Sequence, residues 1–222
     1  MVKKLYMVSL GPGDIGLLTL KALESLQECD AICVPTKSSD NSFTKSMTKK
    51  IIDKLFEKYK FKKPLIPVYT PMHYKKEDWQ HQVDIIDNTL KKHNTVCFVT
   101  LGDAAVYSTV YYLLDIIKEQ NKIVYDNCEV IAGVTSFSDA SAKVKKPLCM
   151  GDSKFEIIPL LDKDVPSSKV YMRPKIGFDS SILHEDGEFF TFENLNYNGE
   201  KIYNYKKDKT SQYMTLFIDF YK

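Results

Sequence analysis

Short apolar runs of strand length alternate with longer segments of helical periodicity through the first half of this chain, and that alternation limits the folds open to it. Leu5–Leu10, Ala31–Val34, Pro64–Val68 and Val96–Leu101 are extended in character. Between them, Leu17, Leu18, Leu20, Leu23 and Leu26, then Met47, Ile51, Ile52, Leu55, Phe56 and Tyr59, then Trp79, Val83, Ile86 and Leu90 recur at helical spacing. A fourth helix is expected from about Val106 to Ile117. Strands and helices in this order build a parallel sheet covered on both faces.

The second half has a different texture. Glu129–Ile131 reads as a strand, and Thr135 to about Val144 as a capped helix. Short aromatic and β-branched runs follow at Phe155–Ile158, Lys169–Met172, Glu188–Phe192, Lys201–Tyr205 and Tyr213–Phe220, separated by turn-rich segments. A mixed or largely antiparallel sheet is expected there. The change falls near Gln120–Asn127, so the expected domains are an N-terminal α/β domain over residues 1–122 and a C-terminal α/β domain over 123–222.

The first loop, Gly11-Pro12-Gly13-Asp14-Ile15-Gly16, has the spacing of a dinucleotide fingerprint. That reading requires an acidic residue at the end of the second strand to hold a ribose, but Pro35-Thr36-Lys37 stands there instead. Pro12 also removes a backbone N–H that a pyrophosphate cradle would use. The dinucleotide reading of the loop is therefore weak.

Basic and acidic residues nearly cancel, at net +2, which gives no global electrostatic case for nucleic acid or an anionic membrane. No stretch approaches the ~20 uninterrupted apolar residues of a membrane span. The five cysteines, Cys29, Cys33, Cys97, Cys128 and Cys149, are scattered and lack zinc-ribbon spacing, as expected of reduced thiols in a cytoplasmic protein. His73, His81, His93 and His184 show no metal-like pairing, so no metal is expected.

Small-residue loops follow four of the expected strands. They are Gly11–Asp14, Gly102-Asp103-Ala104-Ala105-Val106-Tyr107-Ser108-Thr109, Ala132-Gly133-Val134-Thr135-Ser136 and Met172-Arg173-Pro174. With Pro71-Met72, Pro147, Gly151-Asp152 and the C-terminal Tyr213-Met214-Thr215-Leu216, they run through the whole chain in order. Together these motifs resemble the tetrapyrrole (corrin and porphyrin) methylase family, and the second loop is most similar to its precorrin-2 C20-methyltransferase branch.

The resemblance implies a two-domain α/β enzyme of the class III methyltransferase type, with a parallel-sheet N-terminal domain and a mixed-sheet C-terminal domain. It implies a cytoplasmic homodimer that binds S-adenosylmethionine in the cleft between its domains and releases S-adenosylhomocysteine. The methyl acceptor it implies is C20 of precorrin-2 or of cobalt-precorrin-2, on the route to cobalamin. Carried over by position, Gly102, Asp103, Val106 and Tyr107 would lie along the cofactor, and Thr135 and Ser136 would meet its methionyl end. Met172, Tyr213 and Met214 would face the adenosine, while Gly11, Pro12, Gly13 and Asp14 would wall the tetrapyrrole trough.

The chain departs from that pattern where Ala104 and Ala132 replace prolines and where Arg173 stands in place of lysine. The segments between Ile158 and Lys169 and between Met172 and Glu188 are also short, which predicts a thinly covered second sheet. Several residues carry structural readings as well. Asp14, Thr19, Asp103, Thr135 and Ser136 are all suited to capping the helices that follow them, Tyr107 to a place in the core, and Lys143, Lys145 and Lys146 to a solvated surface that could also meet substrate carboxylates. Asp14 is the one candidate for a direct chemical role. The competing functions are a methylase of the same fold with another substrate or ring position, and a non-catalytic binder of a tetrapyrrole or S-adenosyl ligand.

Overall fold

The computed structural model describes residues 3–71, 73, 75–151, 153–157, 167–172 and 174–220. The chain divides into two compact units, Met1–Phe155 and Glu156–Lys222. The first is built on five strands, β1 (Lys4–Ser9), β2 (Ala31–Thr36), β3 (Leu65–Tyr69), β4 (Thr95–Thr100) and β5 (Cys128–Ile131), in the order β3-β2-β4-β1-β5. All the pairings are parallel. Helices α1 (Leu20–Glu28), α2 (Met47–Tyr59), α3 (Lys76–Lys92), α4 (Val110–Gln120), α5 (Lys122–Asp126) and α6 (Ser136–Val144) occupy the connections.

Alternation along the strands sends side chains to two separate cores. Leu5 and Met7 of β1, with Val96 and Phe98 of β4, pack against Val83, Ile86 and Leu90 of α3 and Val110, Leu113 and Ile117 of α4. Tyr6 and Val8, with Cys97 and Val99, face Ala22 and Leu26 of α1 and Ile51, Ile52 and Leu55 of α2. The sheet is thus covered on both faces, as the alternation predicts. The loop after β1 leads to α1 on one face, whereas the loop after the adjacent β4 leads to α4 on the other. Open α/β sheets form their ligand crevices at such a switch point, beyond the carboxyl ends of the strands.

Several local expectations are revised. Helix α1 starts at Leu20, which is exposed, because Thr19 accepts the Ala22 N–H at 3.2 Å and Ile15–Leu17 form a separate 3-10 turn. Helix α4 starts at Val110 rather than Val106, since residues 103–106 are spent on a turn. The expected division at 122/123 falls inside the first unit, where α5 buries Val124 and β5 adds to the sheet beside β1. Phe155–Ile157 form no strand, and Ile158 lies outside the described residues.

The second unit holds β6 (Lys169–Met172), β7 (Glu188–Glu193), β8 (Lys201–Tyr203) and β9 (Thr215–Phe220) in the order β6-β9-β7-β8. Every pairing is antiparallel, so among the described strands this sheet is not mixed. One face buries Phe189, Thr191, Glu193, Phe217 and Asp219. There the Glu193 carboxylate accepts from Lys207 Nζ and Ser211 Oγ, each at 2.7 Å, and Asp219 accepts the Asp186 and Gly187 N–H groups, each at 2.9 Å. The opposite face carries Val170, Met172 and Ile202, all more than half exposed, in keeping with the short connecting segments.

Candidate functional site

At the carboxyl ends of β1 and β4 the loops that follow the two strands meet. Gly11 and Gly102 have φ of 71° and 73°, a left-handed conformation that glycine adopts without a Cβ penalty. This lets them exchange both backbone hydrogen bonds, Gly11 N to Gly102 O at 3.0 Å and Gly102 N to Gly11 O at 2.8 Å. Gly133, after β5, presses into the same place: a Cβ there would lie 2.6 Å from Ser9 Cβ and 2.9 Å from Gly102 O. Three loops distant in sequence therefore meet backbone to backbone.

The loop after β4 is held at several points. Val106 N donates to Asp103 O at 3.2 Å, which makes residues 103–106 a hydrogen-bonded turn, and Asp103 Oδ1 accepts the Ala105 N–H at 3.1 Å. The buried Ala104 N–H donates to Ser9 Oγ at 2.9 Å. Further on, Ser108 Oγ lies 3.2 Å from Thr100 Oγ1 and accepts the Val110 N–H at 3.3 Å. Between these anchors Tyr107 has a φ of 49° and is 73% exposed. It stands on the loop rather than on α4 or in the core. A large side chain in that conformation is unusual enough to direct attention to function.

In the first loop, Asp14 Oδ1 accepts the Gly16 N–H at 2.8 Å and so caps the 3-10 turn. Thr135 Oγ1 likewise accepts the Ser138 N–H, at 3.4 Å, at the start of α6, whose first residue is Ser136. Lys143 of α6 donates to Asp139 at 2.6 Å, and that bond raises its pKa, with a further contribution from the charge of Asp14. Burial raises the pKa of Tyr111, on the first turn of α4, and the Asp103 carboxylate adds to the effect. Lys145 and Lys146 are exposed.

Gly11, Pro12, Gly13, Asp14, Gly102, Asp103, Val106, Tyr107, Thr135 and Ser136 thus fall on three adjoining loops of one unit. Met172, Tyr213 and Met214 belong to the other. Met172 ends β6 opposite Leu216, while Tyr213 and Met214 precede β9, with Met214 O accepting the Asn194 N–H at 2.7 Å. Arg173, Met72 and Asp152 lie outside the described residues. Among the described residues no group of three or more His, Cys, Asp or Glu could hold a metal, and no helix is long and apolar enough to cross a membrane.

Ser9 escaped the sequence reading because it looks like one more strand residue. The available signal was a hydroxyl at the last position of a strand whose preceding members from Leu5 onward are apolar. Space for a ligand is present as well. A Cβ on Gly13 or Gly102 would meet nothing within 4 Å, so both backbones are open to close approach, with the half-buried Asp103 carboxylate beside Gly102.

A doubly wound sheet whose switch point is walled by glycine backbone defines an open α/β protein. Among such proteins, the chain belongs to the tetrapyrrole (corrin/porphyrin) methylases, whose family model matches residues 4–187. It is 33% identical over 159 residues to a probable cobalt-precorrin-2 C(20)-methyltransferase of Methanocaldococcus jannaschii, covering 72% of this chain and 65% of that one. It is 28% identical over 156 residues to the cobalt-precorrin-2 C(20)-methyltransferase of Salmonella typhimurium, covering 70% and 62%. The match therefore spans less than two thirds of either relative's length. A uroporphyrin-III C-methyltransferase from Thermus thermophilus, solved with S-adenosylhomocysteine, shares the fold at a TM-score of 0.50 and 17% identity, covering 97% of this chain and 96% of that one.

Proposed function

We propose that the chain is an S-adenosylmethionine-dependent C-methyltransferase of cobalamin biosynthesis, and that it methylates C20 of precorrin-2 or cobalt-precorrin-2. The observation that carries this reading is the two-way hydrogen bond between Gly11 and Gly102. It joins the loop assigned to the tetrapyrrole with the loop assigned to the methyl donor. The named activities of the two relatives and the S-adenosylhomocysteine bound by the Thermus protein support it.

The donor, when bound, supplies a methyl group already activated on a sulfonium. What remains for the chain is to hold donor and acceptor in line and exclude water, so proximity is its main contribution. In this reading the open backbone at Gly102, the Asp103 carboxylate and Val106 line the donor, and Thr135 and Ser136 meet its methionyl end. Gly11, Pro12 and Gly13 form a stiff wall against the ring, and Asp14 adds a carboxylate at its edge. An electron-rich meso carbon is itself nucleophilic, and the reading assigns no general base.

Incubation with S-adenosylmethionine and precorrin-2, with and without cobalt, tests the proposal. Mass spectrometry is expected to find one added methyl, located at C20 by NMR. Binding of S-adenosylhomocysteine without methylation of either substrate would leave a non-catalytic binder. A methyl at another carbon would move the protein to a different branch of the family.

A further inference from the structure

We infer that Ser9 is a positioning residue for the methyl-donor loop, acting through the N–H of Ala104. The inference rests on the methyltransferase reading and concerns a residue outside the loops to which ligand contact is assigned. Ser9 is fully buried and Ala104 is 1% exposed, so water cannot replace the 2.9 Å hydrogen bond between them. A hydroxyl buried in a strand is unfavourable unless it is paired.

The turn that presents Asp103 and Val106 does not use the Ala104 N–H. Its own hydrogen bond runs from Val106 N to Asp103 O, and the Asp103 side chain takes the Ala105 N–H. The one donor left inside the turn is the group that Ser9 accepts, and a buried N–H left unpaired is costly. On its other side Ser9 is confined by Gly133, whose Cα has no room for a Cβ against it. One hydroxyl therefore ties the strand carrying the first loop to the middle of the second, at a place fixed by the third. Without it the turn would relax to hydrate its N–H, and Asp103 and Val106 would move with it.

A single and a double variant, read by calorimetric titration with S-adenosylhomocysteine, test this in the intact chain. Ala104→Pro removes the donor at the second position of the turn, where the backbone accepts proline, but its Cδ takes the place of the hydrogen that Ser9 Oγ accepts, so it is introduced together with Ser9→Ala. Ser9→Ala is expected to weaken binding about tenfold, and the Ser9→Ala/Ala104→Pro double variant to bind within about twofold of the parent, because the N–H that Ser9→Ala orphans is then gone. Ser9→Gly, which also lacks the acceptor and leaves room for the proline ring, carries the same prediction if Ser9→Ala does not fold.

Equal loss in the single and the double variant, or a lower melting temperature with unchanged affinity, would overturn the inference and leave Ser9 a purely structural residue. A parent chain that binds no S-adenosylhomocysteine would overturn the methyltransferase reading, and this inference with it.

Discussion

The Cα of Gly133 packs so closely on Ser9 that a Cβ added to it would stand 2.6 Å from the serine Cβ. The next nearest atom, Gly102 O at 2.9 Å, is backbone and cannot swing aside. The third loop is thus seated by the absence of a side chain.

Gly133→Ala is therefore expected to lower stability by about 1–3 kcal/mol, the usual range for overpacking a tight interior, and to weaken S-adenosylhomocysteine binding as the loops part. Denaturant midpoints and titration calorimetry measure both effects. A variant with parental midpoint and affinity would show that the loops do not need this approach.

Asp14 serves as a cap whether or not it meets substrate, and the two roles separate in Asp14→Asn. Asparagine keeps the oxygen that accepts the Gly16 N–H and caps about as well as aspartate, so the melting temperature should barely move. Methyl transfer is expected to fall by roughly an order of magnitude if the charge contacts the ring at close range. An unchanged rate would assign Asp14 to the cap alone.

Asp30 offers a test through pH. Its Oδ2 accepts the Thr95 and Asn94 N–H groups, each at 2.9 Å, and these bonds hold its carboxyl below the usual aspartate pKa. A depressed folded pKa contributes stability that is present above the unfolded value, about 3.9, and is lost as pH falls through the folded value. Asp30→Asn should thus be less stable than the parent at neutral pH, with the gap closing below about pH 4. Urea midpoints across that range would refute this if the two curves stayed parallel.

Most of the first unit was legible from the sequence because each strand and helix there repeats its own period over a buried face. Leu5 and Met7 face one core and Tyr6 and Val8 the other, the arrangement expected of strands covered on both sides. Boundaries were less legible where side chains take over backbone partners. Ser108 and the Asp103 turn delay α4 to Val110, and the 3-10 turn capped by Asp14 keeps Leu17 out of α1, which starts after the expected cap Thr19. The expected division near residue 122 follows a change of texture, which marks a new kind of local structure, whereas the two compact units part after Phe155, because membership of a sheet is decided by long-range pairing. Within the site the glycine loops announced themselves by composition. Ser9 did not, since its importance depends on a partner far along the chain.

The placement of β5 has a consequence for the order of events during synthesis. Chain growth delivers β1, then β4, and only afterwards the edge strand that carries Gly133. A ribosome-bound chain that has exposed everything through α4 can already pair Gly11 with Gly102, yet it lacks the third wall. Ligand capture should therefore appear late in translation, no earlier than the emergence of β5 from the exit tunnel, when the first sheet is complete.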